Sequence, residues 1–337
     1  GLNLTMHIGM AMQVVALAML TVPDAWLSVS YVMFAQALSG IAKDLNKMSA
    51  KASVKTLLPQ DSDDTDQQLF RWIARLTGSK NALKGAGFFI GAALLELVGF
   101  RIALALLALM LLTVLIITAI KLPSGLGKMK SKPKFTQVFS SSSRINWLSA
   151  ARFFLFGSRD IWFVVALPVF LYETMDWSFM QVGSYLALWI IGYGILQALV
   201  PSFIRKHSPN ALSILIAALV LALIPAGIAL TLDSGLSTSL AITSGLAIFG
   251  VIFAVNSALH SYLVVAWSDQ ERVSMNVGFY YMANAGGRLT GTVLSGLLYQ
   301  TQGLQGCLWW SGGFVVMAAL LCLPLVSHDR KKKVLSG

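Results

Sequence analysis

Two arginines stand where arginine is costly. Arg159 lies near the middle of the apolar block 147–171, and Arg288 near the middle of the block 275–299. At about 1.5 Å of rise per helical residue, Arg159 sits roughly 18 Å from the end of its block. That is too deep for its side chain to reach the interface. An ionisable group at the centre of a bilayer costs about 2.5–3.5 kcal/mol on insertion scales, so its default reading is functional. Arg152 precedes Arg159 by seven residues and projects from the same helix face. Lys80 and Lys84 are four residues apart, and Lys43, Lys47, Lys51 and Lys55 repeat every four. Like charges at that spacing repel and want a counter-charge. The acids in reach are Asp160 and Asp44. They are too few to neutralise Arg152, Arg159, Arg288, Lys80 and Lys84, so the excess implies a bound anion. Arginine suits bidentate recognition of oxyanions, and lysine supplies a point charge.

Each charge also has a plainer reading. Arg159 could form a structural pair with Asp160. Asp160 and Asp44 could carry a coupling proton or only hold a cation in place. Lys51 and Lys55 read as ordinary charges of a cytoplasmic helix end. Glu96 stands close to Arg101 as a ready ion-pair partner. The polar groups Asn284, Asn256, His260, Tyr193, Gln197 and Trp189 are individually weak signals. Four acids in the loop 56–70, Asp61, Asp63, Asp64 and Asp66, lack the spacing of an EF-hand and read as a solvated loop. Nothing in the sequence calls for a metal or a cofactor.

The elements that position these charges are read from hydropathy. Hydrophobic residues make up 56% of the 337 and charged residues 12%, about half the charged share of a soluble domain. The apolar residues fall in ten long blocks: 4–22, 27–46, 77–97, 102–120, 147–171, 179–203, 210–231, 238–264, 275–299 and 306–326. Roughly 20 mainly apolar residues span the hydrocarbon as a helix, and helices satisfy their own backbone there. An all-α polytopic membrane protein follows. Lysine and arginine alternate between the loops: 47–76, 121–146, 204–209, 265–274 and the tail 327–337 are rich in them, and the intervening loops carry only Arg101. The positive-inside rule places the first set, and both ends of this chain, in the cytoplasm of a bacterial inner membrane. The net charge of +11 is then a topology signal, not a nucleic-acid footprint. Cys307 and Cys322 both fall in the last block, which argues against a disulfide framework. No zinc or nucleophile motif points to an enzyme.

The polar stretch 121–146 divides four blocks from six and reads as a cytoplasmic linker, with a helix bundle at 1–120 and another at 147–337. Six helices, a basic linker and six helices is the plan of the major facilitator superfamily. The chain resembles that plan with its first two helices missing, and it starts Gly1-Leu2-Asn3 without a methionine. A chain lacking those helices is expected to be inactive. Numbered on that plan, the intramembrane charges fall on helices four, five, seven and eleven. The lipid-facing helices three, six, nine and twelve carry no Lys, Arg, Asp or Glu. Binding near the midplane between the two halves is the arrangement expected of such folds.

Three charged segments carry a narrower resemblance: ALSGIAKDLNKMSAK at 37–51, LTGSKNALKG at 76–85 and SAARFFLFGSRDIWFV at 149–164. They resemble the organoarsenical efflux permeases of the ArsJ type, a likeness that runs over essentially the whole chain. The resemblance implies export of 1-arseno-3-phosphoglycerate, made by a glyceraldehyde-3-phosphate dehydrogenase that uses arsenate in place of phosphate. This enzyme would be a functional partner, and the export would give arsenate resistance. Residue chemistry alone says only "small polyanion", and other organophosphates remain open. On this reading Arg159 and Arg288 hold one oxyanion and Lys80, Lys84 and Lys47 the other. Arg152, Lys43 and Asn284 belong to the same candidate set.

Overall fold

The computed structural model describes residues 2–58, 65–122, 140, 142–204, 209–232, 238–269 and 272–336. All regular structure among them is helical: α1 Leu2–Met19, α2 Val29–Leu57, α3 Thr65–Lys121, α4 Ser143–Phe163, α5 Ala166–Glu173, α6 Phe179–Phe203, α7 Ala211–Leu232, α8 Thr238–Ala266 and α9 Val273–Ser336, with one 3₁₀ turn at Asp24–Trp26. Among the described residues seven helical stretches are long and apolar enough to cross a membrane. Most of the acid loop and of the linker lies outside the described residues, as do Arg205, Lys206 and the side chains of Arg330 to Lys333.

The helices follow the apolar blocks with three informative departures. The blocks 77–97 and 102–120 form the two arms of α3, joined at Gly99 with φ 75°. The blocks 275–299 and 306–326 form the arms of α9, joined at Gly303 with φ 64°. Both turns use the left-handed region that glycine enters without penalty. The block 147–171 breaks between α4 and α5. Pro168 has no N–H to give the carbonyl of Val164 four residues back, and its ring crowds that carbonyl. The N–H groups of Val165 and Ala166 at the break donate instead to Ser295 Oγ of α9, at 3.3 and 3.1 Å. In lipid such a break persists only where a neighbouring helix satisfies the backbone in this way.

Contacts divide the chain into two compact units. The first holds 1–60, 86–134 and 269–278. Within it α1 packs on α2, close enough at Gly9 that a Cβ would meet the Ala42 carbonyl at 3.0 Å. Ser39 Oγ donates to Gln13 Oε1 at 2.9 Å across the same pair. Arg101 pairs with Asp24 at 2.9 Å; the side chain of Glu96 lies outside the described residues. The arm 100–121 is exposed along most of its length, with Leu109 and Met110 open at 60% and 67%. A helix apolar all round and uncovered by protein belongs in lipid.

The second unit holds 61–85, 135–268 and 279–337. Its core runs through α4–α9 around Trp162, Phe249, Phe253 and Leu308. Small residues set its closest crossings. A Cβ on Gly287 would land on the backbone of Phe153, and one on Gly291 would meet Asp160 Cβ at 3.0 Å. That contact fixes the α9 arm against α4. Gly78 of α3 and Gly194 of α6 are pressed together likewise, each against the other's carbonyl. Helix association in lipid depends on such close backbone approach. At one end of the unit Arg144 pairs with Asp329, and the Arg144 guanidinium lies over the Trp267 ring at 4.1 Å. Cys307 and Cys322 are free thiols.

Candidate functional site

Every group of the main polar cluster lies in the second unit. On α4, Arg152, Phe156 and Arg159 are spaced four and three apart and share a face. On the α9 arm, Tyr281, Asn284, Arg288 and Thr292 do the same. The glycine crossing at 157, 287 and 291 brings these two faces into contact.

Asp160 is fully buried and accepts from both sides. Arg159 Nε donates to its Oδ1 at 2.7 Å, reinforced by Arg159 Nη2. Arg288 Nε donates to its Oδ2 at 2.8 Å. One carboxylate therefore serves two guanidinium groups. The two arginines differ in environment: the Arg159 side chain is 13% exposed and that of Arg288 43%. Arg288 is partly open, while Arg159 is held against aromatic rings. Its guanidinium lies 5.2 Å from the Phe156 ring centre and 5.6 Å from that of Phe253.

Arg152 is 3% exposed, and no described carboxylate lies within ion-pair distance of it. Its charge is met by dipoles and rings. Nε donates to Asn284 Oδ1 at 3.0 Å, and Nη1 reaches Ser257 Oγ at 3.2 Å and the Ser257 carbonyl at 3.4 Å. The guanidinium stacks 3.7 Å from the Phe156 ring centre. The network extends further. Tyr193 Oη and Gln197 Nε2 both donate to Ser257 Oγ, at 2.9 and 3.1 Å. Asn81 Nδ2 donates to Gln197 Oε1 at 2.6 Å, which ties in α3. Residues four apart on α6 make this possible: Trp189 meets Leu246 and Gly250 of α8, Tyr193 meets Phe253, and Gln197 meets Ser257. A buried charge without a counter-charge is an expensive arrangement. Two guanidinium groups share the Asp160 carboxylate, and the third, Arg152, is met by neutral groups and rings.

Further polar capacity stands near by. The Asn256 amide and His260 Nδ1, one turn apart on α8, are buried with no hydrogen-bond partner. Lys80 is exposed and lies 5.9 Å from the Tyr281 ring centre, one turn from Asn284.

The family profile of the Major Facilitator Superfamily matches residues 1–263. The chain belongs to this superfamily. Solved major facilitator structures share its fold at low identity. The human organic anion transporter MFSD10 superposes with a TM-score of 0.75 at 17% identity, covering 96% of this chain and 77% of that one. A bacterial homologue of the iron transporter ferroportin, in an outward-facing state, gives 0.78 at 16% identity over 97% and 84% of the two chains. The proton:xylose symporter XylE gives 0.72 at 14% over 97% and 80%. No curated protein matches the chain significantly. These findings make the chain a multi-pass membrane transporter working by the superfamily's general mechanism, and they do not name its cargo.

Against that frame, the charges named from sequence separate into two groups. Arg152, Arg159, Arg288, Asn284 and Asp160 come together in the second unit, with Lys80 beside them and Lys84 exposed one turn on. Lys43, Lys47 and Asp44 lie in the first unit, where Lys47 pairs with Asp44 at 2.6 Å along one helix. Lys51, read as an ordinary charge of a helix end, is 2% exposed. Ser257 and Phe156 are the members that sequence reasoning missed. A serine in an apolar helix and a phenylalanine in a Phe-rich one carry no distinguishing signal. Only the spacing of Phe156 between two arginines could have found it.

Proposed function

We propose that this major facilitator exports a small organic polyanion by alternating access, with Arg152, Arg159 and Arg288 as its principal contacts. What supports this reading is the buried guanidinium of Arg152 that no described carboxylate answers. An incoming oxyanion takes the Arg159 and Arg288 donors from Asp160, and a second anionic group accepts from Arg152 beside Asn284. Return of Asp160 to its arginines then releases the cargo. Exchange of this kind lets one carboxylate reset the site. Lys80 flanks the cluster. Lys84, of the same unit, raises the local anion concentration by long-range attraction.

The cargo we propose is 1-arseno-3-phosphoglycerate, on the strength of the three segments that resemble the ArsJ type. Its phosphate and acyl-arsenate are two oxyanions, which matches a cluster with two separate sets of guanidinium donors. The unstable ester would be made inside by a glyceraldehyde-3-phosphate dehydrogenase and carried out across a bacterial inner membrane, with both ends of this chain cytoplasmic. The proposed segmentation is a bundle at 1–120, a linker at 121–146 and a bundle at 147–337. The relation of the fold to a human organic anion transporter is compatible with an anionic cargo. A second reading keeps the site and changes the cargo to another organophosphate.

Competition distinguishes the two readings. 3-Phosphoglycerate, a stable relative of the ester, is expected to protect the purified protein against heat, and 2-phosphoglycerate less well. Sugar phosphates that protect equally would favour the second reading. Lipophilic cations that protect while phosphoglycerates do not would remove both.

A further inference from the structure

A second basic site lies apart from the arginine cluster, at the start of α3 and the end of α6. A cleft of 510 Å³ is lined by Arg71 and Arg75 of α3 and by Ala198, Leu199, Pro201 and Ser202 of α6. All of these residues belong to the second unit. The two helices are locked one to two turns away, where Gly78 meets Gly194 and Ala198. The cleft is thus held open by a rigid crossing and does not depend on a loop.

Its chemistry has two parts. Arg71 and Arg75 are one turn apart, so both guanidinium groups reach the same side. Arg71 Nη2 donates to Gln67 Oε1 at 3.3 Å, and the Arg75 guanidinium lies 5.8 Å from the Trp72 ring centre. Among the described residues neither has a carboxylate within ion-pair distance. Beside this charge lies apolar surface: Trp72, Leu199 and Phe203 are 52%, 45% and 75% exposed. A small soluble anion would use the charge and leave the apolar surface idle. A phosphodiester carrying acyl chains uses both.

We propose that this cleft binds the headgroup of an anionic phospholipid, with the phosphate between Arg71 and Arg75 and an acyl chain along Leu199 and Phe203. The loops flanking both helices here are among the Lys- and Arg-rich set, so the site lies in the leaflet that such loops face. Basic pockets between transmembrane helices on that side are where anionic headgroups are held. Because the lipid would bridge α3 and α6, it would stiffen the crossing that carries Asn81 and Gln197. The proposal is independent of the cargo.

The test uses the purified full-length protein in neutral detergent, with lipid retention read by native mass spectrometry. Phosphatidylglycerol, phosphatidylcholine and water-soluble glycerol phosphate are compared. Wild type is expected to retain phosphatidylglycerol about thirtyfold over phosphatidylcholine, the fold-change that two basic residues at about 1 kcal/mol each would give. Glycerol phosphate should not be retained. The Arg71→Gln, Arg75→Gln double variant should lose the preference, while Arg71→Lys, Arg75→Lys keeps most of it. An unchanged preference in the glutamine variant, no preference in wild type, or equal retention of glycerol phosphate would each overturn the proposal.

Discussion

Arg152→Gln is expected to cut transport about a hundredfold while leaving the thermal midpoint of the protein unchanged or raised. The two halves of this expectation come from one observation. Arg152 is buried with no described carboxylate beside it, and its donors are met only by Asn284, Ser257 and two rings. Such a charge is costly to keep, and apolar or neutral replacements of buried charges are often neutral or stabilising. If the arginine were there for the fold, removing it would lower the midpoint. If it is there for an anion, the loss appears in binding. A charge-assisted bond to a buried oxyanion is worth about 1.5–3 kcal/mol, or roughly ten- to hundredfold. Arg152→Lys should rescue little, because an ammonium cannot reach Asn284 and Ser257 with a fixed fork while facing a third acceptor. Transport assayed at matched membrane abundance, together with thermal unfolding of the same preparation, checks both halves.

Asp160→Asn should behave in the opposite sense. The carboxylate is wholly buried between Arg159 and Arg288. Removing it leaves two guanidinium groups facing each other beside a third. Breaking one side of a buried pair costs about 3–5 kcal/mol. The open Arg288 side chain is screened by its surroundings, so most of the loss falls on Arg159 and a total of about 3 kcal/mol is expected. The variant should also bind anions more tightly, since no internal carboxylate competes for the arginines, and release them more slowly. Linkage then predicts a larger rise in thermal midpoint with 3-phosphoglycerate in Asp160→Asn than in wild type. Turnover should fall although binding improves. Adding Arg288→Gln should restore much of the stability by returning the balance to one cation fewer. If the variant gains nothing from 3-phosphoglycerate, Asp160 is a structural partner only, and the exchange step is wrong.

How much of this was legible in the sequence depends on the residue. Arg159, Arg288 and Asp160 were conspicuous because an ionisable group inside an apolar block has few innocent explanations. The seven-residue step from Arg152 to Arg159 also foretold a shared face, and Phe156 between them touches both. What sequence could not supply is partnership across the bundle. Ser257 accepts from Tyr193 and Gln197 and takes Arg152, yet Ser244 and Ser261 on the same helix look no different. The pairing of Asp160 with both arginines needs the Gly157–Gly287–Gly291 crossing, which depends on backbones meeting rather than on any charge. Lys51 is buried as well, and the four-residue charge periodicity did not indicate that. The fold class was the easier inference, since hydropathy alone fixes where helices cross lipid. The break at Pro168 was hidden inside one apolar block, because hydropathy does not register a missing N–H.

The most direct test of the central claim is uptake into everted membrane vesicles containing the protein. Vesicles are supplied with glyceraldehyde-3-phosphate dehydrogenase, glyceraldehyde 3-phosphate, NAD and arsenate, and arsenic inside is followed over time. The expected result is accumulation that needs the complete mixture and is lost in Arg152→Gln. Accumulation of free arsenate without glyceraldehyde 3-phosphate, or none from the complete mixture, would contradict export of the arseno-ester.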